Sequence, residues 1–172
     1  MANITVKAPY LLKQVGNLNT QKAPLSDGGN TFIAGSFVQV NSSNQLQAVP
    51  TSSGTALTTQ VYGWSGDANV ASGSIPPAAF FGQNHYPFDV RGATFEINVS
   101  VKAGTIGGGN TTNANVTVGT AYGIVKLSSG IQCLSQDETT NTVLEVVGLG
   151  SNASTDYNAR VQVRVLDTSI QA

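Results

Sequence analysis

The sequence predicts an all-β protein: a β-barrel or sandwich built from two similar β-meander units, preceded by an extended N-terminal arm. Three observations carry that prediction. Apolar residues recur with period two in the best-patterned segments, as a pleated strand with one buried face requires. Short β-branched and aromatic runs follow one another closely, separated by Gly, Ser and Asn clusters suited to turns. The chain also resembles itself when slid by 85 positions. The division that follows is an arm over residues 1–30 and a β-rich domain over 31–172.

The arm differs from the rest of the chain. It holds Lys7, Lys13 and Lys22, the prolines Pro9 and Pro24, and the turn cluster Asp27 to Asn30. Tyr10, Leu11, Leu12, Val15 and Leu18 could line a helical stripe, but the prolines and glycines favour extended chain with a brief ordered patch. Such a terminus either lies on its own domain or docks elsewhere.

Beyond residue 30 the strands come in order. Phe32–Ile33 and Phe37 to Val40 are followed by Leu57 to Trp64 and His85 to Val90. The clearest alternation is Ala93 to Lys102: Phe95, Ile97, Val99 and Val101 share one face, while Thr94, Glu96, Asn98, Ser100 and Lys102 share the other. Val116 to Val118, Tyr122 to Leu127 and Val143 to Val147 come next. The last run, Arg160 to Arg164, repeats the scheme, with Val161, Val163 and Val165 against Arg160, Gln162 and Arg164. Turns are expected at Asn41 to Asn44, Ser52 to Gly54, Ser128 to Gly130 and Gly148 to Ser151. A helical turn is suggested at Ile75 to Phe81 alone.

At the 85-residue offset, 37–68 aligns with 122–153 without a gap. Phe37 faces Tyr122, Val40 faces Val125, Leu46 faces Ile131, Gln47 faces Gln132, Val49 faces Leu134, Val61 faces Val146 and Gly63 faces Gly148. Either the unit is duplicated or two meanders share turn chemistry. In both cases the same strand, turn, strand, strand cadence is used twice.

Composition narrows the function. Lys and Arg number 8 against 9 Asp and Glu, a formal charge of −1, and charged residues are 10% of the 172, against about 25% in ordinary soluble domains. Nucleic-acid binding needs clustered Lys or Arg, so no such partner is expected. One cysteine excludes an internal disulfide. No run of about 18 apolar residues is present to span a membrane, and the first residues do not read as a secretory leader. No membrane partner is expected.

The chain offers no convincing catalytic constellation, and neither cofactor nor metal is expected. His85, the sole histidine, has Asp89 four residues on, but no nucleophile is brought to it by spacing, and Gly-x-Ser-x-Gly is absent. Cys133 sits among apolar residues and reads as a small buried hydrophobe. One His and one Cys do not close a zinc site, and Asp137, Glu138 and Asp156 lack calcium-loop spacing. Gly104 to Asn110 lacks the Lys-Ser/Thr ending and following helix of a phosphate loop. The Asn-x-Ser/Thr triplets at Asn98, Asn115 and Asn152 are what a chain so rich in these residues shows by chance. Tyr62 with Trp64, read on one face of a strand, and Phe80–Phe81 with Tyr86 and Phe88 could form sugar-stacking platforms, though strand aromatics are more often core or interface anchors.

The segments Phe32 to Gln47 leading to Val61–Gly63, and Val118 to Gly130 leading to Val146–Gly148, resemble the head decoration (capsid cement) proteins of tailed bacteriophages in their cadence of Gly, apolar strand, turn, strand and Gly. The resemblance covers most of residues 30–150. It implies a non-enzymatic virion protein on the capsid exterior, made in the host cytoplasm. There it would bind the major capsid protein and stabilise contacts between its subunits, with homotrimers as the self-association. It further implies that the arm contacts the capsid, through Ile4, Val6, Tyr10, Leu11, Leu12, Val15 and Leu18. The second β-unit makes the chain longer than the smallest members, so residues 70–115 take no role from the resemblance. The alternatives are a fibre, tail or host-attachment module that binds glycan through its aromatics, and, more remotely, a hydrolase around His85 and Asp89.

Overall fold

The computed structural model describes residues 6–13, 23–24, 32–42, 44, 46–49, 60–65, 84–85, 87–100, 112–152, 156 and 158–171. The strand with the clearest alternation, β7 (Thr94–Ser100), organises the architecture. One edge of β7 pairs antiparallel with β11 (Arg160–Val165), Arg160 opposite Asn98 and Val163 opposite Phe95. β11 pairs with β10 (Leu144–Leu149), β10 with β8 (Ala121–Lys126) and β8 with β9 (Gln132–Ser135), all antiparallel. β9 then returns to β7 in parallel, Val99 opposite Leu134 and Ser100 opposite Ser135, closing a five-stranded barrel. Closure removes the unpaired edges an open sheet of these strands would carry. The fold is all-β, as expected.

Period-two alternation fills the barrel. Phe95, Ile97 and Val99 meet Tyr122, Ile124, Leu134, Leu144, Val146, Val161, Val163 and Val165 in one cluster, none more than 4% exposed. The side chains that alternate with them on β7, however, are not solvated. Glu96, Asn98 and Ser100 are all buried, because the outside of β7 is covered. Asn98 donates from Nδ2 to the Asn158 carbonyl (2.6 Å) and accepts the Lys7 N–H at Oδ1 (3.1 Å).

A second sheet lies against the barrel. β3 (Ser36–Val40) is flanked by β4 (Leu46–Ala48) and β5 (Gly63–Ser65) in the order β4-β3-β5. The later segment has the same arrangement, β9-β8-β10, so both stretches aligned at 85 residues place their first strand in the middle. Side-chain faces agree as well: Phe37 and Tyr122, and Val49 and Leu134, all enter the central core. Val40 and Leu46 pack in a second cluster with Phe32, Val38, Ala48 and Tyr62, while Val125 and Ile131 pack in a third with Leu127 and Cys133. The two hairpins differ in register by two residues, a shift that preserves every face.

The Phe37 ring meets Phe95 edge-on, with centroids 4.9 Å apart. Two glutamine amides stitch β3 to the barrel's strands and C-terminal end. Gln132 Oε1 accepts the Phe37 N–H (2.6 Å), and its Nε2 donates to the Phe37 (2.8 Å) and Val49 carbonyls. Gln171 Oε1 accepts the Val40 N–H (2.8 Å) and Nε2 donates to the Val40 carbonyl (2.9 Å).

The arm contributes β1 (Tyr10–Lys13), which pairs antiparallel with β7, Tyr10 opposite Glu96 and Leu11 opposite Phe95. A short pair, β2 (Ala23–Pro24) with β6 (Asn84–His85), brings Ala23 opposite His85. The suggested helical turn at 75–81 and the Gly104 to Asn110 loop lie outside the described residues, as do Leu57 to Thr59 of the Leu57 to Trp64 run. The segment around Val116 follows a 3-10 turn, Asn113–Asn115, and is not a strand.

Candidate partner-contact surface

Three exposed apolar side chains lie on or beside β10. Leu144 and Val146 point into the barrel. Glu145 points out and meets Arg164, with Nε and NH2 each 2.7 Å from Oε2. Between Val146 and Gly148 the register against β11 shifts, so Val147 is the extra residue of a bulge. Val147 is 38% exposed and Leu149 48%. The Gly119 N–H donates to the Val146 carbonyl (2.7 Å), which sets Val118, 53% exposed, beside the same strand. Apolar side chains gathered on one strand mark contact surfaces more strongly than scattered ones. The nearby Glu145–Arg164 pair neutralises itself, leaving the patch without net charge. This surface was missed in the sequence; its signal was Val146–Val147–Gly148, where two consecutive apolar residues and a glycine break the alternation.

Of the seven arm residues, Ile4, Val15 and Leu18 lie outside the described residues. The other four divide between two roles. Val6 is half-buried against the Val125, Leu127 and Cys133 cluster, and Leu11 is half-buried against the central core. Tyr10 (37%) and Leu12 (42%) remain exposed. The Arg160 guanidinium lies 5.0 Å from the Tyr10 ring centroid, and its NH1 is 3.6 Å from Glu96 Oε1. Burial, and then the Glu96 carboxylate, raise the Tyr10 phenol above its ordinary value against an opposing pull from Arg160.

The expected aromatic platform is rearranged. Tyr62 packs in the second cluster, whereas Trp64 packs against the central core. The two do not share a face, because Val61 makes an isolated bridge to Ile170 and β5 begins only at Gly63. The Trp64 ring centroid lies 5.8 Å from both Phe88 and Phe95, in tilted contacts that engage the ring with other aromatics. Phe80, Phe81 and Tyr86 lie outside the described residues.

The Asp89 carboxylate accepts the Arg91 N–H and meets Arg91 NH1, both at 2.9 Å. Burial pushes the Cys133 thiol up to about 12, which suppresses the thiolate that nucleophilic chemistry needs. Among the described residues no three His, Cys, Asp or Glu side chains are grouped to hold a metal ion, and no helix is long and apolar enough to cross a membrane. A recess of about 160 Å³ beside Glu145, Arg164 and Asp167 is smaller than the roughly 300–1,000 Å³ of ligand pockets. Asn98, first of the Asn-x-Ser/Thr triplets, is fully buried.

No protein-family model matches the chain, and no curated protein or solved structure matches it.

Proposed function

We propose that the chain is a structural virion protein that binds the outer surface of a phage capsid, stabilises contacts between major capsid subunits, and has no enzymatic activity. The observation that carries this reading is the group of exposed, uncharged apolar side chains Val118, Val147 and Leu149 on and beside β10 of a closed barrel. A patch of this kind suits adhesion to a preformed surface, where apolar contact supplies affinity and a polar rim supplies register. Self-association as a homotrimer would let modest individual contacts act together, raising avidity by roughly 10²–10⁴ over one contact. Few surface charges also mean weak dependence of binding on salt.

The experiment adds purified protein to expanded capsids lacking it. The reading requires saturable binding in numbers that fit icosahedral sites, and a higher capsid melting temperature. Failure to bind capsids, with binding to host cells instead, would replace it with the host-attachment reading.

A further inference from the structure

We propose that residues 6–13 form a strap across the barrel's parallel β7–β9 seam and open as a unit while the rest of the domain stays folded. The seam is the parallel contact of β7 with β9. It has two register pairs and one flanking bond, Gln136 N–H to the Ser100 carbonyl (2.9 Å). Each of the neighbouring pairs β7–β11 and β8–β9 has four register pairs, all antiparallel; β8–β10 also has two, but it is antiparallel with three flanking backbone bonds, and parallel pairing is the less stable per residue.

The strap spans that seam. On the β7 side Tyr10, Leu11 and Lys13 pair with Glu96, Phe95 and Thr94, and the Lys7 N–H reaches Asn98 Oδ1. On the β8–β9 side Val6 packs on the outer cluster of Val125, Leu127 and Cys133. Between them the strap presses on the turn into β3. Gly35 has φ +82°, and a Cβ there would stand 2.6 Å from the Pro9 carbonyl oxygen and 2.8 Å from the Ala8 Cβ. Eight consecutive residues therefore touch β7, the β8–β9 pair and the start of β3.

The strap also has few fully buried side chains to free when it leaves: of its eight residues only Pro9 is buried, while Lys7, Tyr10, Leu12 and Lys13 are exposed. Its β1 residues are exposed except for half-buried Leu11, and its register slips between Leu11 and Lys13. The barrel beneath has an interior that is almost wholly buried. Segments with few buried contacts open at the low end of a protein's range of local stabilities. Opening uncovers Val125, Leu127 and Cys133 and strips Asn98 Oδ1 of its donor. The strap rests on geometry alone; were it also the capsid arm, opening would be the step that frees Val6 and Leu11 for a partner.

Cys133, the sole thiol of the chain, reports the opening. The full-length protein is alkylated with iodoacetamide at pH 8 across low urea concentrations, and global unfolding is followed separately by circular dichroism. The strap requires a labelling rate whose urea dependence is clearly shallower than that of global unfolding. Val6→Ser should raise the rate in the absence of urea by about tenfold or more, with a much smaller proportional change in the global equilibrium. Gly35→Ala, which pushes on Pro9 instead of loosening Val6, is the second variant should the first not fold. Labelling that follows global unfolding in the parent protein overturns the proposal. So do variants that label faster only to the extent that they are globally less stable.

Discussion

Gln132 is the side chain whose loss should be felt most for its size. The hairpin of β3 and β4 continues past Ala48 to bring Val49 opposite Phe37, and the Val49 N–H donates to the Phe37 carbonyl (3.2 Å). The reciprocal bond is replaced by the Gln132 amide, whose oxygen takes the Phe37 N–H and whose nitrogen serves both carbonyls. Gln132→Met keeps the length of the side chain and removes the amide. It leaves one buried N–H and one buried carbonyl without partners, since the Phe37 carbonyl keeps its bond from Val49. Each orphan costs about 1–3 kcal/mol, partly offset because the amide itself no longer has to be buried. A net loss of roughly 2–4 kcal/mol is expected. Urea unfolding followed by Trp64 fluorescence measures it as a lower midpoint at unchanged slope. A loss below about 1 kcal/mol would refute the reasoning, because it would mean that β3 closes its own ladder once the amide is gone.

Val99→Asp places a carboxylate inside the barrel, where Val99 is 1% exposed, and should cost several kcal/mol or prevent folding, as read by the same unfolding curve. Alkaline stability should depend on Cys133. Its folded-state pKa of about 12 lies above the ordinary thiol value of 9.0, so its contribution is whole below pH 9 and is lost as pH rises toward 12, an upper bound of roughly 4 kcal/mol. Cys133→Ala should therefore lose less stability than the parent between pH 8 and 11, in urea titrations at each pH. The double variant Val147→Ser with Leu149→Ser should change unfolding by about 0.5 kcal/mol or less per site, yet reduce capsid retention in a sedimentation assay; undiminished retention removes the patch from the contact.

The fold was legible where one interaction dominates. Inside the barrel, apolar burial sets the alternation of β7 and β11, and both strands lie where Phe95 to Val99 and Val161 to Val165 put them. The pairing partners were not legible, because period two fixes which face is buried and is silent about which strand lies alongside. Hence the self-similarity at 85 residues was visible, but not that the later segment would help close a barrel while the earlier one forms a sheet packed on it. The contact surface was hidden for a related reason. Val147 and Leu149 are residue types that composition assigns to a core; Val147 follows inward Val146 and faces out, and the bulge sets Leu149 opposite inward Val161, where it is nonetheless exposed.

The outer side of β7 shows the limit of such reading most clearly. Glu96, Asn98 and Ser100 have the composition of a solvated face, and a polar face looks the same in sequence whether water or chain covers it. What distinguishes the two cases is hydrogen bonding. A polar face under chain must find partners within the protein, as Asn98 does with Lys7 and Asn158. Here the cover includes the segment of the arm that composition marks as loose, with two lysines, a proline and exposed apolar side chains. Its looseness and its role as cover are compatible because the backbone supplies the bonds while half of its side chains, those of Lys7, Tyr10, Leu12 and Lys13, are exposed. A strand held in this way specifies where it lies without committing Tyr10 and Leu12 to the interior, which leaves them available to a second surface.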